Sequence, residues 1–276
     1  MPVGLRSEPP LLSVLMGTRY LRTDFAPLRR AVESVLGQSF RDFEFLICDD
    51  GSSPEARAYL DRAAAKDVRI RLIRPGDRLG LASKLNACLE AAGGRFIGRM
   101  DDDDFSHPDR FRKQLEALMD DSEIGFVGCN VELFQNGRVV GIRILPEYPT
   151  LRDFYIVQPY IHPALIFRRE VLSSVGAYSE GKRQELCEDY DLLLRLLKNG
   201  YRGRNLQESL LIYTIPSSAR GKRTMHHRLN ETMTRFCRFR ELGVLPKALP
   251  YVIKPVLTGL LPERLLMEVK KRYYDK

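Results

Sequence analysis

Four consecutive aspartates, Asp101-Asp102-Asp103-Asp104, follow directly on the apolar segment Phe96-Ile97-Gly98-Arg99-Met100. Adjacent carboxylates repel one another and raise each other's pKa, so the chain must either solvate this run on a loop or set positive charge against it. The flanks favour the second course. Residues 96–100, after the Gly93-Gly94 break, have the length and composition of a short buried strand, and Pro108 suits the first turn of a helix over residues 109–119. Carboxylates at the carboxyl end of a strand lie where open α/β sheets bind ligands. A hard divalent cation, Mg²⁺ or Mn²⁺, is held by one or two carboxylates plus substrate phosphates, so the run points to a diphosphate ligand.

The preceding chain alternates apolar runs of strand length with helical spacing. Strands are expected at 11–16, 43–48 and 69–73, and helices at 25–36, from Pro54, and at 81–92. This β-α-β-α-β-α-β order predicts a parallel sheet with right-handed crossovers. A second acidic turn, Asp49-Asp50-Gly51-Ser52-Ser53, then ends a strand of the same sheet and should share a rim with the first. Asp49 or Asp50 there suits hydrogen bonds from a base or ribose. The same residues also suit a tight turn with Ser53 capping the next helix.

Beyond the aspartate run the pattern changes to hairpins. Residues 124–134 read as a strand, Asn136-Gly137 as its turn and 138–142 as the return strand. Residues 161–167 read as a buried strand entered through His162, a residue suited to bonding a sugar or phosphate or to structural hydrogen bonding. Glu188-Asp189-Tyr190-Asp191 opens a strongly apolar helix, where acids also interact favourably with the helix dipole. The loop over 176–187 is a candidate lid, and 207–213 reads as a last strand.

These blocks together resemble the inverting family-2 nucleotide-sugar glycosyltransferases of the GT-A fold. The likeness is carried by Ser13-Val14-Leu15-Met16, Glu33 to Phe40, Cys48-Asp49-Asp50-Gly51-Ser52, Gly80-Leu81-Ala82 with Asn86, and Arg99 to Asp104 followed by His107-Pro108-Asp109-Arg110-Phe111. The resemblance implies an α/β GT-A (Rossmann-like) fold with a mixed, mostly parallel central sheet and flanking helices. It further implies that Asp50 contacts the base, Asp101 the ribose or metal, and Asp103 the metal and diphosphate. Asp189, with Glu188 beside it, would deprotonate the acceptor hydroxyl. Thr18, Asp49, Asn86, Asp102 and His162 complete the expected nucleotide-sugar site. The family often has Tyr-Asn after the first strand, where this chain reads Thr18-Arg19-Tyr20, and often a histidine after the last strand, where it reads Thr214-Ile215-Pro216-Ser217-Ser218. His226 and His227 are the substitutes at hand for that third metal ligand.

Charge divides the chain into an expected catalytic domain, 1–218, and a basic helical appendage, 219–276. The appendage carries 14 Lys and Arg against 5 Asp and Glu, a net +9 out of the total +8, so the body is near −1. Helices are expected over 222–242 and 264–274, with prolines 246, 250 and 255 interrupting the apolar stretch between them. Such a tail fits an anionic membrane surface, or packing on the body with a solvated basic face. No apolar span reaches the length of a transmembrane helix, residues 1–6 lack the apolar region of a secretory signal, and the five scattered cysteines form no Cys-x-x-Cys pair. The chain is therefore expected in the cytoplasm, with the tail either peripheral on the inner membrane face or packed on the body.

The expected reaction is metal-dependent transfer of a sugar from a nucleoside-diphosphate donor to a glycan or lipid-linked acceptor, as in surface polysaccharide assembly. A nucleotidyltransferase-like enzyme is one alternative, although no G-x-x-x-x-G-K-[ST] loop is present. A non-enzymatic binder of anionic surfaces or nucleic acid is another. Against nucleic acid stand the confinement of the positive charge to the tail and the four aspartates, which repel a phosphate backbone.

Overall fold

A computed structural model describes residues 8–76, 79–181, 185–215 and 224–262. The basic helix expected at 264–274 and the junction expected at 218 lie outside them. The first half follows the predicted alternation: β1 (Leu12–Thr18), α1 (Ala26–Leu36), β2 (Phe43–Asp49), α2 (Pro54–Lys66), β3 (Ile70–Ile73), α3 (Leu81–Ala91) and β4 (Phe96–Arg99). Local chemistry sets the boundaries. Ser53 accepts a hydrogen bond from Ala56 N at 3.3 Å and Pro54 occupies the first turn of α2, while Pro27 does the same for α1. β1 lies between β2 and β4, parallel to both, so Thr18, Asp49 and Met100 end on one rim.

The second half comprises β5 (Phe105–Ser106), α4 (Arg110–Asp120), β6 (Ile124–Gln135), β7 (Arg138–Arg143), α5 (Asp153–Ile156), β8 (Ile166–Arg168), α6 (Arg169–Ser174), α7 (Glu188–Lys198) and β9 (Arg202–Thr214). Among the described residues one sheet runs β3-β2-β1-β4-β8-β6-β9-β5, with β7 on β6. β8 is antiparallel to both neighbours, and β6 pairs β9 in parallel. Alternating side chains feed two cores: Leu12, Val14 and Met16 of β1 pack on the α1 and α4 side, and Leu15 on the α3 and α7 side.

Two expectations are corrected. The strand expected at 161–167 is a 3-10 turn, His162–Ala164, before the short β8, because Pro163 cannot donate to a ladder. Buried apolar runs look alike whether extended or turned. The prolines of the tail do not interrupt it: α8 (Met225–Glu241) is followed by α9 (Leu245–Leu260), a continuous helix with Pro250 and Pro255 inside. Burial of Ala248 and Val252 against the body, and of Pro255 beside Arg228 of α8, offsets the backbone bonds the prolines forgo. Phe239, Ala248 and Val252 belong to the same core as α7, and Arg238 of α8 donates to the buried Asp191 of α7 at 2.8 Å.

Candidate active site

Thr18 ties the two acidic turns together. Its carbonyl accepts from Asp50 N at 3.1 Å and from Lys84 Nζ at 3.2 Å, while its Oγ1 donates to Asp102 Oδ2 at 2.5 Å. Asp50 Oδ2 in turn accepts from Leu79 N at 2.8 Å, and Lys84 Nζ stands 3.7 Å from it. Asp49 has other partners. Like Asp50 it is buried, but it accepts from Ser52 N at 3.0 Å and has the Arg74 guanidinium at 3.4 Å, so it holds the turn. Gly51, at φ +80°, makes that turn.

The four aspartates have unequal surroundings. Asp101, Asp102 and Asp103 are partly exposed, and Asp104 is buried. Asp104 Oδ1 accepts from Thr214 N at 2.8 Å, and Thr214 Oγ1 donates to Asp103 O at 2.6 Å, so the end of β9 clamps the loop. Burial, with Asp101 and Asp103 adding to it, holds the Asp104 carboxyl well above the usual carboxylate range. Beneath the loop the buried Arg99 donates to Asp101 Oδ1 at 2.5 Å. Arg110, wholly buried, donates to Pro163 O at 2.7 Å and Arg99 O at 3.2 Å, and burial pushes its pKa down to about 10. These two arginines supply fixed positive charge under the acidic rim.

The donor set fits a hard divalent cation. Asp101 and Asp103 offer partly exposed carboxylates with no thiolate nearby, and Asp101 Oδ2 makes no hydrogen bond among the described residues. No group of three or more His, Cys, Asp and Glu forms a cage among the described residues. A cation held by one or two carboxylates plus ligand phosphates needs none. His227, considered as a third ligand, instead forms a capping box with Thr224 at the start of α8.

The first turn of α7 faces the same loop. Asp189 is partly exposed, with Oδ2 accepting from Gln158 Nε2 at 2.9 Å and Oδ1 from Tyr190 N at 2.8 Å. Glu188 is buried, and burial together with the Asp189 charge pushes its carboxyl up to about 7, with Arg99 opposing and Asp101 adding. The fields of Asp104, Asp101 and Asp189 likewise reach the Tyr213 hydroxyl, whose pKa burial already raises. Electrostatically the aspartate loop and the α7 turn are one site. A carboxyl whose folded pKa lies above its unfolded value binds more protons when folded, so stability falls as pH rises from about 4.5 to about 7. Glu188→Gln is therefore expected to raise stability by about 2 kcal/mol at pH 8 and to change little at pH 5, as read by melting at both pH values.

Two expected donor ligands serve the scaffold. Asn86 donates to Tyr178 O at 2.9 Å and Glu180 Oε1 at 2.6 Å and accepts from Tyr178 N at 3.1 Å. Its amide is thus spent on the loop at 176–181. Ser83 holds Glu180 at 2.7 Å, and Ser179 donates to Asp191 at 2.8 Å, so the described part of the expected lid is pinned to α3 and α7. His162 is buried with Nε2 2.8 Å from the Tyr178 hydroxyl, and burial holds its pKa well below the usual range. Sequence reasoning passes over Lys84 and Gln158 and gives Arg99, Arg110 and Thr214, which lie inside the blocks quoted above, no role at the site. Only Arg99, a charge ending an apolar strand, carried a local signal.

The profile of Glycosyl transferase family 2 matches residues 20–176. EpsE of Bacillus subtilis (strain 168), which carries a glycosyltransferase name, is 31% identical over 268 residues, covering 97% of this chain and 94% of that one. The amylovoran biosynthesis glycosyltransferase AmsE of Erwinia amylovora is 25% identical over 244 residues, covering 87% and 90%. Among solved structures, S. aureus TarS 1–349 in complex with UDP-GlcNAc is similar with TM-score 0.65 at 17% identity, covering 88% of this chain and 72% of that one. The mannosyltransferase PcManGT from Pyrobaculum calidifontis, in complex with GDP-Man and Mn²⁺, is similar with TM-score 0.60 at 17% identity, covering 97% and 81%. At such identity the structural likeness shows the fold alone.

Proposed function

We propose that this chain, which belongs to glycosyl transferase family 2 and has the GT-A fold, transfers a sugar from a nucleoside-diphosphate donor to a hydroxyl of a glycan or lipid-linked acceptor, inverting the anomeric carbon. The observation that carries this reading is the junction at Thr18, where the Asp50 turn meets the aspartate loop, with the Glu188-Asp189 turn in the field of that loop. In this reading Asp50, Asp102 and Thr18 hold the nucleoside. Asp101 and Asp103 would hold Mn²⁺ or Mg²⁺, which when bound neutralises charge on the departing diphosphate. Gln158 orients Asp189, which takes the acceptor proton. Arg99 keeps the Asp101 carboxylate in place.

Relatives' names support a part in polysaccharide biosynthesis: AmsE is named for amylovoran biosynthesis. WfgD of Escherichia coli, 32% identical over 117 residues, is named for an acceptor on diphosphoundecaprenol. Transfer belongs to residues 1–218, at the cytoplasmic membrane face, and 219–276 serve the acceptor side. The test is calorimetry with UDP- and GDP-sugars with and without Mn²⁺. Affinity is expected to rise with the cation, and in Asp103→Ala to fall to its cation-free level. Turnover should release nucleoside diphosphate, and release of pyrophosphate would instead mark a nucleotidyltransferase.

A further inference from the structure

The α8–α9 hairpin anchors on the body through Phe239, Ala248 and Val252 and still leaves large apolar side chains in water. α8 buries Arg228, Asn230, Thr234 and Arg235 along with Phe239, Arg228 being bonded to Thr258 of α9 at 2.8 Å and Arg235 to Tyr155 O of the body at 2.9 Å. Its outward face carries Met225, Leu229, Met233 and Phe236, at spacing i, i+4, i+8, i+11. α9 repeats that spacing with Leu249, Ile253, Leu257 and Leu260, and these eight side chains are between 36% and 68% exposed. The helices run antiparallel: Arg228 also reaches Pro255 O at 3.4 Å, and a Cβ on Gly259 would meet Met225 Cε at 3.0 Å. Each of these antiparallel neighbours thus carries an exposed apolar stripe, and the approach of Met225 to Gly259 joins the two helices at one end of the stripes. A cluster of large apolar groups left exposed in this way marks an interaction site.

We propose that this face docks in the headgroup layer of an anionic phospholipid bilayer. Charge selects that occupant. Arg240 and Lys247, both exposed, flank the turn between the helices and make no ion pair among the described residues, and the segment from Ala219 onward is +9 by sequence. A second copy would set two such segments against each other, whereas anionic headgroups complement them. No described helix is long and apolar enough to cross a membrane, so the hairpin lies on the surface. Docking also places the acceptor end of the site. Tyr251 of α9 stacks on Tyr155 of α5 with centroids 5.4 Å apart, and Gln158, just beyond α5, bonds Asp189. The purpose of the docking, delivery of a lipid-linked acceptor to Asp189, rests on the glycosyltransferase reading, but the surface itself does not.

The experiment is sedimentation with vesicles of phosphatidylcholine alone or mixed with phosphatidylglycerol, run beside donor calorimetry and solution mass measurement. The full chain should bind the anionic vesicles and be released by salt. The combined variant Leu229→Gln, Phe236→Gln, Ile253→Gln and Leu257→Gln should bind at least about ten-fold more weakly with unchanged melting and donor affinity. Arg240→Gln with Lys247→Gln should flatten the salt dependence. Equal binding by the combined variant, equal binding to uncharged vesicles, or a dimer that this variant dissolves would each overturn the proposal. Failure of donor binding alone would count against the glycosyltransferase site and leave the membrane result standing.

Discussion

Asp189→Asn should bind donor with near-normal affinity and turn over roughly 10²–10⁴-fold more slowly. The asparagine keeps the shape of the side chain, and its single oxygen serves one of the two donors that Asp189 meets with separate oxygens, the Gln158 amide at 2.9 Å or Tyr190 N at 2.8 Å. What it cannot do is accept a proton from an acceptor hydroxyl. Glu188 does not replace it, because that carboxyl is buried and burial favours its protonated form. Steady-state kinetics beside donor calorimetry separate the outcomes. Near-normal transfer would remove Asp189 as the base, and loss of donor binding would place it on the sugar donor instead.

Asp191→Ala, two residues along the same helix, should leave the chemistry of the rim alone and cost about 3–5 kcal/mol of stability. Its carboxylate is wholly buried and accepts at 2.8 Å from Arg195 Nε, Arg238 Nε and Ser179 Oγ. Removing it leaves two arginines without their shared counter-charge. Arg195 retains the Val175 and Ala177 carbonyls, and Arg238 retains Glu241, which places the loss toward the lower end. Because Arg238 belongs to α8, the variant should also loosen the docking hairpin. Urea unfolding monitored by far-UV circular dichroism measures the effect, and a loss below about 1 kcal/mol would mean that the cluster is solvated in solution.

Acids in one helical turn thus meet three fates, and sequence separates them poorly. Glu188, Asp189 and Asp191 are equally good first-turn residues by the dipole argument. Only packing makes one buried and electrically strained, one accessible, and one the hub of two arginines. The aspartate run shows the same limit, since Asp104 is set apart by Thr214, a residue 110 positions away. Asn86 was expected as a ligand only through the family resemblance, and the loop it holds lies more than 90 residues downstream.

Sequence alone determined the alternation of strand and helix through β4, the parallel pairing of that half, and hence the shared rim of the Asp50 and Asp101 turns. These follow from periodicity and turn chemistry, which are local. The tertiary structure alone decided which carboxylates are buried, that Lys84, Arg99 and Arg110 lie under them, that α9 stays helical through its prolines, and that α8 buries Arg228 and Arg235. Each of these depends on what a residue meets across the fold, and burial set by distant contacts leaves no period in the chain.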